Sequence, residues 1–212
     1  MEVVDLRAGQ VIGEPGSAAG HVHFPVSAVV SLLYLTQDGA SIETAVIGND
    51  GLVGLAHCMG GDASPSQAVV QHAGQAYRLR GALMKQDLAR GGPVLTMLLR
   101  YTQSMIVQAT QTAACNRYHT IDQQLCRRLL QSLDRSPSNE LEMTQEGVAR
   151  LLGVRREGVT SAALKLQHAG VIRYRRGHIA VLDRPRLEQR ACECYAVVRQ
   201  EQRRLLPLPQ AA

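Results

Sequence analysis

Thr144-Gln145-Glu146-Gly147-Val148-Ala149-Arg150-Leu151-Leu152-Gly153-Val154-Arg155-Arg156-Glu157-Gly158-Val159-Thr160-Ser161-Ala162-Ala163-Leu164-Lys165-Leu166-Gln167-His168 reads as two helices joined by a tight turn. Thr144 suits the N-cap of the first, Glu146 its positive dipole end, and Met143 can staple to Val148. Val148, Leu151 and Leu152 form one apolar face, and Gly153-Val154 interrupts it. The second helix starts near Arg155 and carries Val159, Ala162, Ala163 and Leu166 at i, i+3, i+4, i+7. Opposite that seam lie Glu157, Ser161, Lys165 and His168, with Arg155, Arg156 and Thr160 near the helix start. A helix that buries a narrow seam and presents such groups at its N-terminal end fits a DNA major groove.

Working outward, Gly170 ends the second helix. Val171 to Tyr174, the turn Arg175-Arg176-Gly177-His178 and Ile179 to Leu182 then predict a hairpin whose tip is charged. The chain has a net charge of +5, and its distribution is uneven. Residues 1–133 hold nine Lys/Arg and nine Asp/Glu, whereas residues 134–212 hold fourteen and nine. Between Gly147 and Leu182 seven basic residues face Glu157 as the single acid. The electrostatic footprint therefore falls on the helix and hairpin that the periodicity nominates, which points to nucleic acid as the partner.

Thr144-Gln145-Glu146, Leu152 to Thr160, Leu166 to Ile172 and Arg175 to Ile179 together resemble the winged helix-turn-helix of the Crp/Fnr family of bacterial regulators. The resemblance implies a homodimer on pseudo-palindromic duplex DNA, with half-sites about 34 Å apart. Arg156 and Glu157 occupy the positions that read bases in that family, Arg on a guanine edge and Glu on a cytosine amine. The predicted base-contact set is Arg155, Arg156, Glu157, Thr160 and Ser161. Ser161 departs from the family pattern, where Arg often stands, and predicts a different consensus. Gln145, Lys165, Arg173, Arg175, Arg176 and His178 are expected on phosphates, where they set register. RNA polymerase is a further partner that the family implies.

The N-terminal part reads as short apolar runs broken by turns: His21 to Pro25, Ala28 to Leu35, Ser41 to Ile47, Ala68 to Gln71 and Gln75 to Leu79. Gln37-Asp38-Gly39 and Gly48-Asn49-Asp50-Gly51 read as hairpin turns. Many short strands predict an antiparallel barrel or double-sheet jelly roll, similar to the family's cyclic-nucleotide-binding-like sensor domain. In nucleotide-binding members a Gly-Glu pair holds the ribose and an Arg before Ser or Thr holds the cyclic phosphate. Gly54 and Ser66 match that spacing, but Leu55 stands at the Glu position and Pro65 at the Arg position. A buried phosphate without its cation forfeits about 3–5 kcal/mol. Cyclic AMP is thus not the expected ligand, and Gly54, Leu55 and Ser66 outline a pocket for some other small molecule or for none.

No cofactor is expected. The chain lacks a cysteine before Cys58, so the N-terminal iron–sulfur cluster of the Fnr branch has no ligands. His21 and His23 share a strand face and offer a rival reading, a metal-dependent cupin-like barrel enzyme with a DNA-binding tail. Phe24 to Gln37 contains no acid to complete such a site, so they are assigned structural roles and catalysis is not expected. The five cysteines (58, 115, 126, 192 and 194) have no disulfide-framework spacing, which suits a reducing cytoplasm. No apolar run reaches the ~20 residues of a membrane span.

Leu83 to Arg90 predicts a short helix and Val94 to Tyr118 a long one. Leu95, Leu98, Thr102, Met105, Ala109 and Thr112 recur along it at alternating three- and four-residue steps, the expected dimer seam. Ile121, Leu125, Leu129, Leu130 and Leu133 stripe the next helix. Asp183 caps a final helix running to Val198, on which Cys192 and Cys194 would lie some 200° apart and so could not share a metal; the tail from Arg199 is expected to fray. The expected architecture is α+β: a jelly-roll sensor (1–92), a dimerisation helix (93–118) and a winged helix-turn-helix (119–212).

Overall fold

The computed structural model describes residues 1–17, 20–61, 63–136 and 138–206. Its N-terminal half holds β1 (Glu2–Leu6), β2 (Val11–Gly13), β3 (His21–Pro25), β4 (Val29–Leu35), β5 (Ser41–Ile47), β6 (Ser66–His72) and β7 (Gly74–Arg80), with the short helix α1 (Leu55–Cys58) between β5 and β6. They form two antiparallel sheets, β1-β7-β3 and β2-β6-β4-β5. Leu6, Ala28, Val30, Ile47, Val53, Ala68, Val70 and Ala76 fill the space between them. The alternation that predicted half-buried strands thus becomes the inner face of a double-sheet barrel. Three details differ from the expectation. β2 is a short strand beyond the predicted runs, paired with β6. β1 is an additional strand, held by β7 along Glu2 to Leu6 although Leu6 is the only fully buried side chain in it. Gly48 to Gly51 is a turn, with the Gly51 amide on the Gly48 carbonyl, but it leads out of the sheet toward α1 and joins no strand pair.

α2 (Gly81–Ala89) links the barrel to α3 (Pro93–Tyr118), a 26-residue helix. One side of α3 is committed to its own chain. The Tyr101 hydroxyl donates to the Leu52 carbonyl at 2.9 Å, and Gln108 Oε1 accepts from the Val46 amide at 3.0 Å. Leu98 and Thr112 are buried on that side, and Met105 packs against both barrel clusters. Four of the six predicted seam residues therefore depart from the expectation: Leu98, Met105 and Thr112 face the protomer itself and Leu95 is half-buried in the same cluster. The reason is that the seam is two rows, Leu95, Thr102 and Ala109 and, about 60° round the helix, Leu98, Met105 and Thr112, and the protomer itself claims the second row. The face left open carries Leu99 and Ile106, each 61% exposed, with Thr102, Ala109 and Ala113 between and below them.

His119 ends α3, and Thr120 opens α4 (Ile121–Leu133) through a reciprocal capping box with Gln123. Leu125, Leu129 and Leu130 of α4 are fully buried at the centre of the C-terminal core, together with Leu141, Val148, Val159, Leu166, Ile179 and Leu187. Around them stand β8 (Glu140–Glu142), α5 (Gln145–Leu152), α6 (Arg156–His168), β9 (Ile172–Arg175), β10 (His178–Val181), α7 (Arg184–Arg190) and α8 (Glu193–Leu205). The third sheet runs β8-β10-β9, so β8 adds a strand to the expected hairpin. The single final helix is in fact two. Asp183 caps α7 through the Arg186 amide, Ala191 is extended, and Cys192 is the N-cap of α8. Cys192 thus lies outside the helix that holds Cys194, which removes the premise that set their sulfurs apart.

Buried charge joins the two halves. Arg128 of α4 reaches into the barrel, with Nε 2.8 Å from Glu43 Oε1 of β5, and the Ser31 hydroxyl donates to the same carboxylate. Arg135 pairs with Asp50 at 2.6 Å, and Gln202 of α8 donates to that carboxylate at 3.0 Å.

Candidate nucleic-acid interface

The helix pair is set by three local devices. Thr144 Oγ1 accepts from the Gly147 amide at 2.9 Å, starting α5 as its sequence predicts. Gly153 ends α5 in the left-handed region at φ 65°, where a side chain would be strained, and the Val154 amide returns to the Ala149 carbonyl. Gly158 lets α6 press on α4: a Cβ there would stand 2.6 Å from Ile121 Cδ1. α6 buries Val159, Ala162, Ala163 and Leu166, the predicted seam.

This packing leaves Arg155, Arg156, Glu157 and Ser161 exposed along one face of α6 and its N-cap, at the helix's positive end. Thr160, the fifth predicted base contact, is engaged within the protein: its hydroxyl lies 2.7 Å from Gln145 Oε1 and 3.0 Å from the Arg156 carbonyl. The bond spends the Gln145 oxygen and leaves its amide NH₂ as the donor. Lys165 is ion-paired with Asp122 of α4 at 2.9 Å, with its side chain 61% exposed. A phosphate must therefore compete with that carboxylate, a weak competitor at such exposure.

The wing is a two-residue hairpin. Arg175 pairs with His178, and Arg176 and Gly177 between them both have positive φ, 45° and 86°. That is the pattern of a type I′ turn, whose twist matches the strands. Arg176 is the only non-glycine with positive φ among the described residues, at a cost of roughly 1–2 kcal/mol. The strain holds a guanidinium at the wing tip beside exposed Arg173, Arg175 and His178. The wing is braced from behind, since the Met143 amide donates to the Gly177 carbonyl at 2.7 Å and the Tyr174 hydroxyl to the Met143 carbonyl at 3.3 Å. The wing packs on α6, with the Tyr174 amide donating to Gln167 Oε1 at 3.0 Å, and both elements carry exposed basic side chains.

In the barrel, Gly54 caps α1 at φ 101°, with the His21 carbonyl 3.0 Å from where a Cβ would be. Leu55, at the position where the resemblance calls for a ribose-binding Glu, is half-buried and packs with Leu52, Met84 and Leu98. Pro65 is exposed and supplies no charge. A cleft of about 220 Å³ lies instead between Gln10, Val11, Ile12, Gly20, His21, His23 and Arg78, and Gly54, Leu55 and Ser66 do not line it. His23 is buried, and desolvation, helped by the charges of Arg78 and His21, lowers its pKa to about 4. His23 is therefore a neutral imidazole in the barrel wall. Among the described residues neither His21 nor His23 belongs to a group of three potential metal ligands.

Residues 3–90 match the cyclic nucleotide-binding domain model, and residues 123–190 match the Crp-like helix-turn-helix domain model. No curated protein sequence matches the chain. Among solved structures, FixK2 from Bradyrhizobium japonicum is similar over 90% of this chain and 97% of its own, with a TM-score of 0.74 at 17% identity. TTHA1359, a Crp/Fnr-family transcriptional regulator from Thermus thermophilus, aligns over 90% and 98% with a TM-score of 0.71 at 20% identity. The c-di-GMP-responsive global regulator CLP of Xanthomonas campestris aligns over 85% and 93% with a TM-score of 0.65 at 18% identity. The two domain models, in this order and joined by the long α3, cover well over half of the chain, which belongs to the Crp/Fnr family of transcriptional regulators.

Proposed function

We propose that this regulator binds pseudo-palindromic duplex DNA as a homodimer and does so without cyclic AMP. The observation that carries the reading is the exposure of Arg155, Arg156, Arg173, Arg175 and Arg176 on α6, its N-cap and the wing that packs on it. Arg155, Arg156, Glu157 and Ser161 read base edges, while Gln145, Arg173, Arg175, Arg176 and His178 hold phosphates, with Lys165 joining them after release from Asp122. Thr160 acts by orienting Gln145. Dimerisation uses the open face of α3, with Leu99 and Ile106 as apolar anchors and Thr102, Ala109 and Ala113 allowing close approach. RNA polymerase is a further contact of such a dimer, and no catalytic step is assigned to it.

Independence from cyclic AMP rests on Leu55 and Pro65, which offer neither a ribose acceptor nor a phosphate cation. Selection of random duplexes by the purified protein at ~150 mM salt, where phosphate contacts are already weakened, tests the reading. A two-fold symmetric motif is expected without ligand, with no gain on adding cyclic AMP. Arg156→Ala is expected to relax one base pair in each half-site by roughly 1–3 kcal/mol. Enrichment only with cyclic AMP, or of no symmetric motif, would overturn it.

A further inference from the structure

Four side chains that sequence spacing keeps apart converge where α3 meets α8. Cys115 lies in the last turn of α3 and His119 ends that helix, while Cys192 caps α8 and Cys194 sits in its first turn. The three sulfurs and one imidazole nitrogen all lie within 4.8 Å of one another. Cys115 Sγ is 3.5 Å from Cys192 Sγ, and Cys194 Sγ is 3.6 Å from His119 Nδ1. Tetrahedral zinc, with Zn–S of about 2.3 Å and Zn–N of about 2.0–2.1 Å, requires S···S of about 3.8 Å and S···N of about 3.6 Å. The donors therefore already stand close to the spacing that a single ion imposes.

The surroundings agree with that use. His119 Nε2 lies 3.2 Å from Glu193 Oε1, so the ring can donate from Nε2 and turn the lone pair of Nδ1 toward the sulfurs. This is the carboxylate–histidine arrangement that orients a metal-bound imidazole. Gln124 Nε2 donates to the His119 carbonyl at 2.9 Å and fixes the segment that carries the ring. All three cysteines are buried, which excludes water from competing for the ion, and Cys192 borders an open cleft along α8 that offers a path in.

We propose that Cys115, His119, Cys192 and Cys194 form a tetrahedral Cys3His site for a divalent ion of the zinc class. Three thiolates and an imidazole favour zinc over the hard cations magnesium and calcium. The site ties the end of the dimer helix to the last helix of the DNA-binding half, across the segment where one becomes the other. Occupancy thus fixes the angle between them, and removal of the ion frees it.

The test is metal analysis of the full-length protein, purified with reductant and without chelator, followed by replacement with Co²⁺. Stoichiometric zinc is expected, as are the intense visible bands of tetrahedral cobalt–thiolate, both lost in Cys194→Ser and kept in the control Cys126→Ser. Glu193→Ala, an exposed change that leaves all four donors, is expected to weaken zinc roughly 10- to 100-fold in a chelator competition. Wild-type protein that takes up neither ion would overturn the proposal. So would a Cys115–Cys192 disulfide formed under the same reducing conditions, or iron with acid-labile sulfide in place of a single ion.

Discussion

Replacing Glu43 by Ala tests how the two halves of the protomer are held together. Its carboxylate lies 2.8 Å from Arg128 Nε, with the two side chains 8% and 1% exposed. At that distance, with an effective dielectric constant of about 20, the attraction is about 6 kcal/mol. It is offset by the cost of taking a guanidinium out of water. Deleting Glu43 removes the attraction but leaves Arg128 buried and the Ser31 hydroxyl without its acceptor. The expected loss is about 3–5 kcal/mol, a large part of the roughly 5–15 kcal/mol that holds a folded domain. Urea titration followed by circular dichroism reads it as a lower midpoint. The double variant Glu43→Met with Arg128→Met removes both charges and keeps the volume, so it is expected to recover most of the loss. A loss under about 1 kcal/mol, the range of exposed pairs, would refute the reasoning, as would a double variant no more stable than the single one.

Three further outcomes follow from particular side chains. Arg176→Gly relieves the positive φ at the wing tip and is expected to stabilise the protein by roughly 1 kcal/mol while flattening the salt dependence of DNA binding by about one phosphate contact per protomer. His23 titrates near 4 when folded and near 6.5 when unfolded, so below pH 6.5 the unfolded chain takes up a proton that the folded one refuses. Stability should fall as pH drops from 6.5 to about 4 and level off below, and His23→Gln should flatten that slope in a urea-midpoint series. Ile106→Glu places charge on the open face of α3, and sedimentation should show monomers, whereas the same change in a surface strand leaves the dimer intact.

The DNA-binding half was legible because its signals are local. Thr144 before an acidic first turn, Gly153 at a helix end and the seam of Val159, Ala162, Ala163 and Leu166 each act within a few residues, and each does in the structure what its spacing implied. The strand runs of the barrel were readable for the same reason, since alternation marks a face to be buried. The missed strands β1, β2 and β8 are short and mostly not buried, and only pairing with β7, β6 and β10 makes them strands.

What the amino-acid sequence determined by itself was the helix pair with its hairpin, the clustering of basic residues there, and the apolar Leu55 and Pro65 at positions that hold no charge. Tertiary structure decided which side of α3 is free, because the barrel claims Leu98, Tyr101, Met105 and Gln108 and leaves Leu99 and Ile106 exposed. It decided that Thr160 serves Gln145 and that Arg128 crosses into the barrel. It also brought Cys115 and His119 to Cys192 and Cys194, although Cys192 lies 77 positions beyond Cys115, once Ala191 broke the final helix in two. Periodicity describes one helix at a time, whereas each of these outcomes depends on which surfaces are removed from water together.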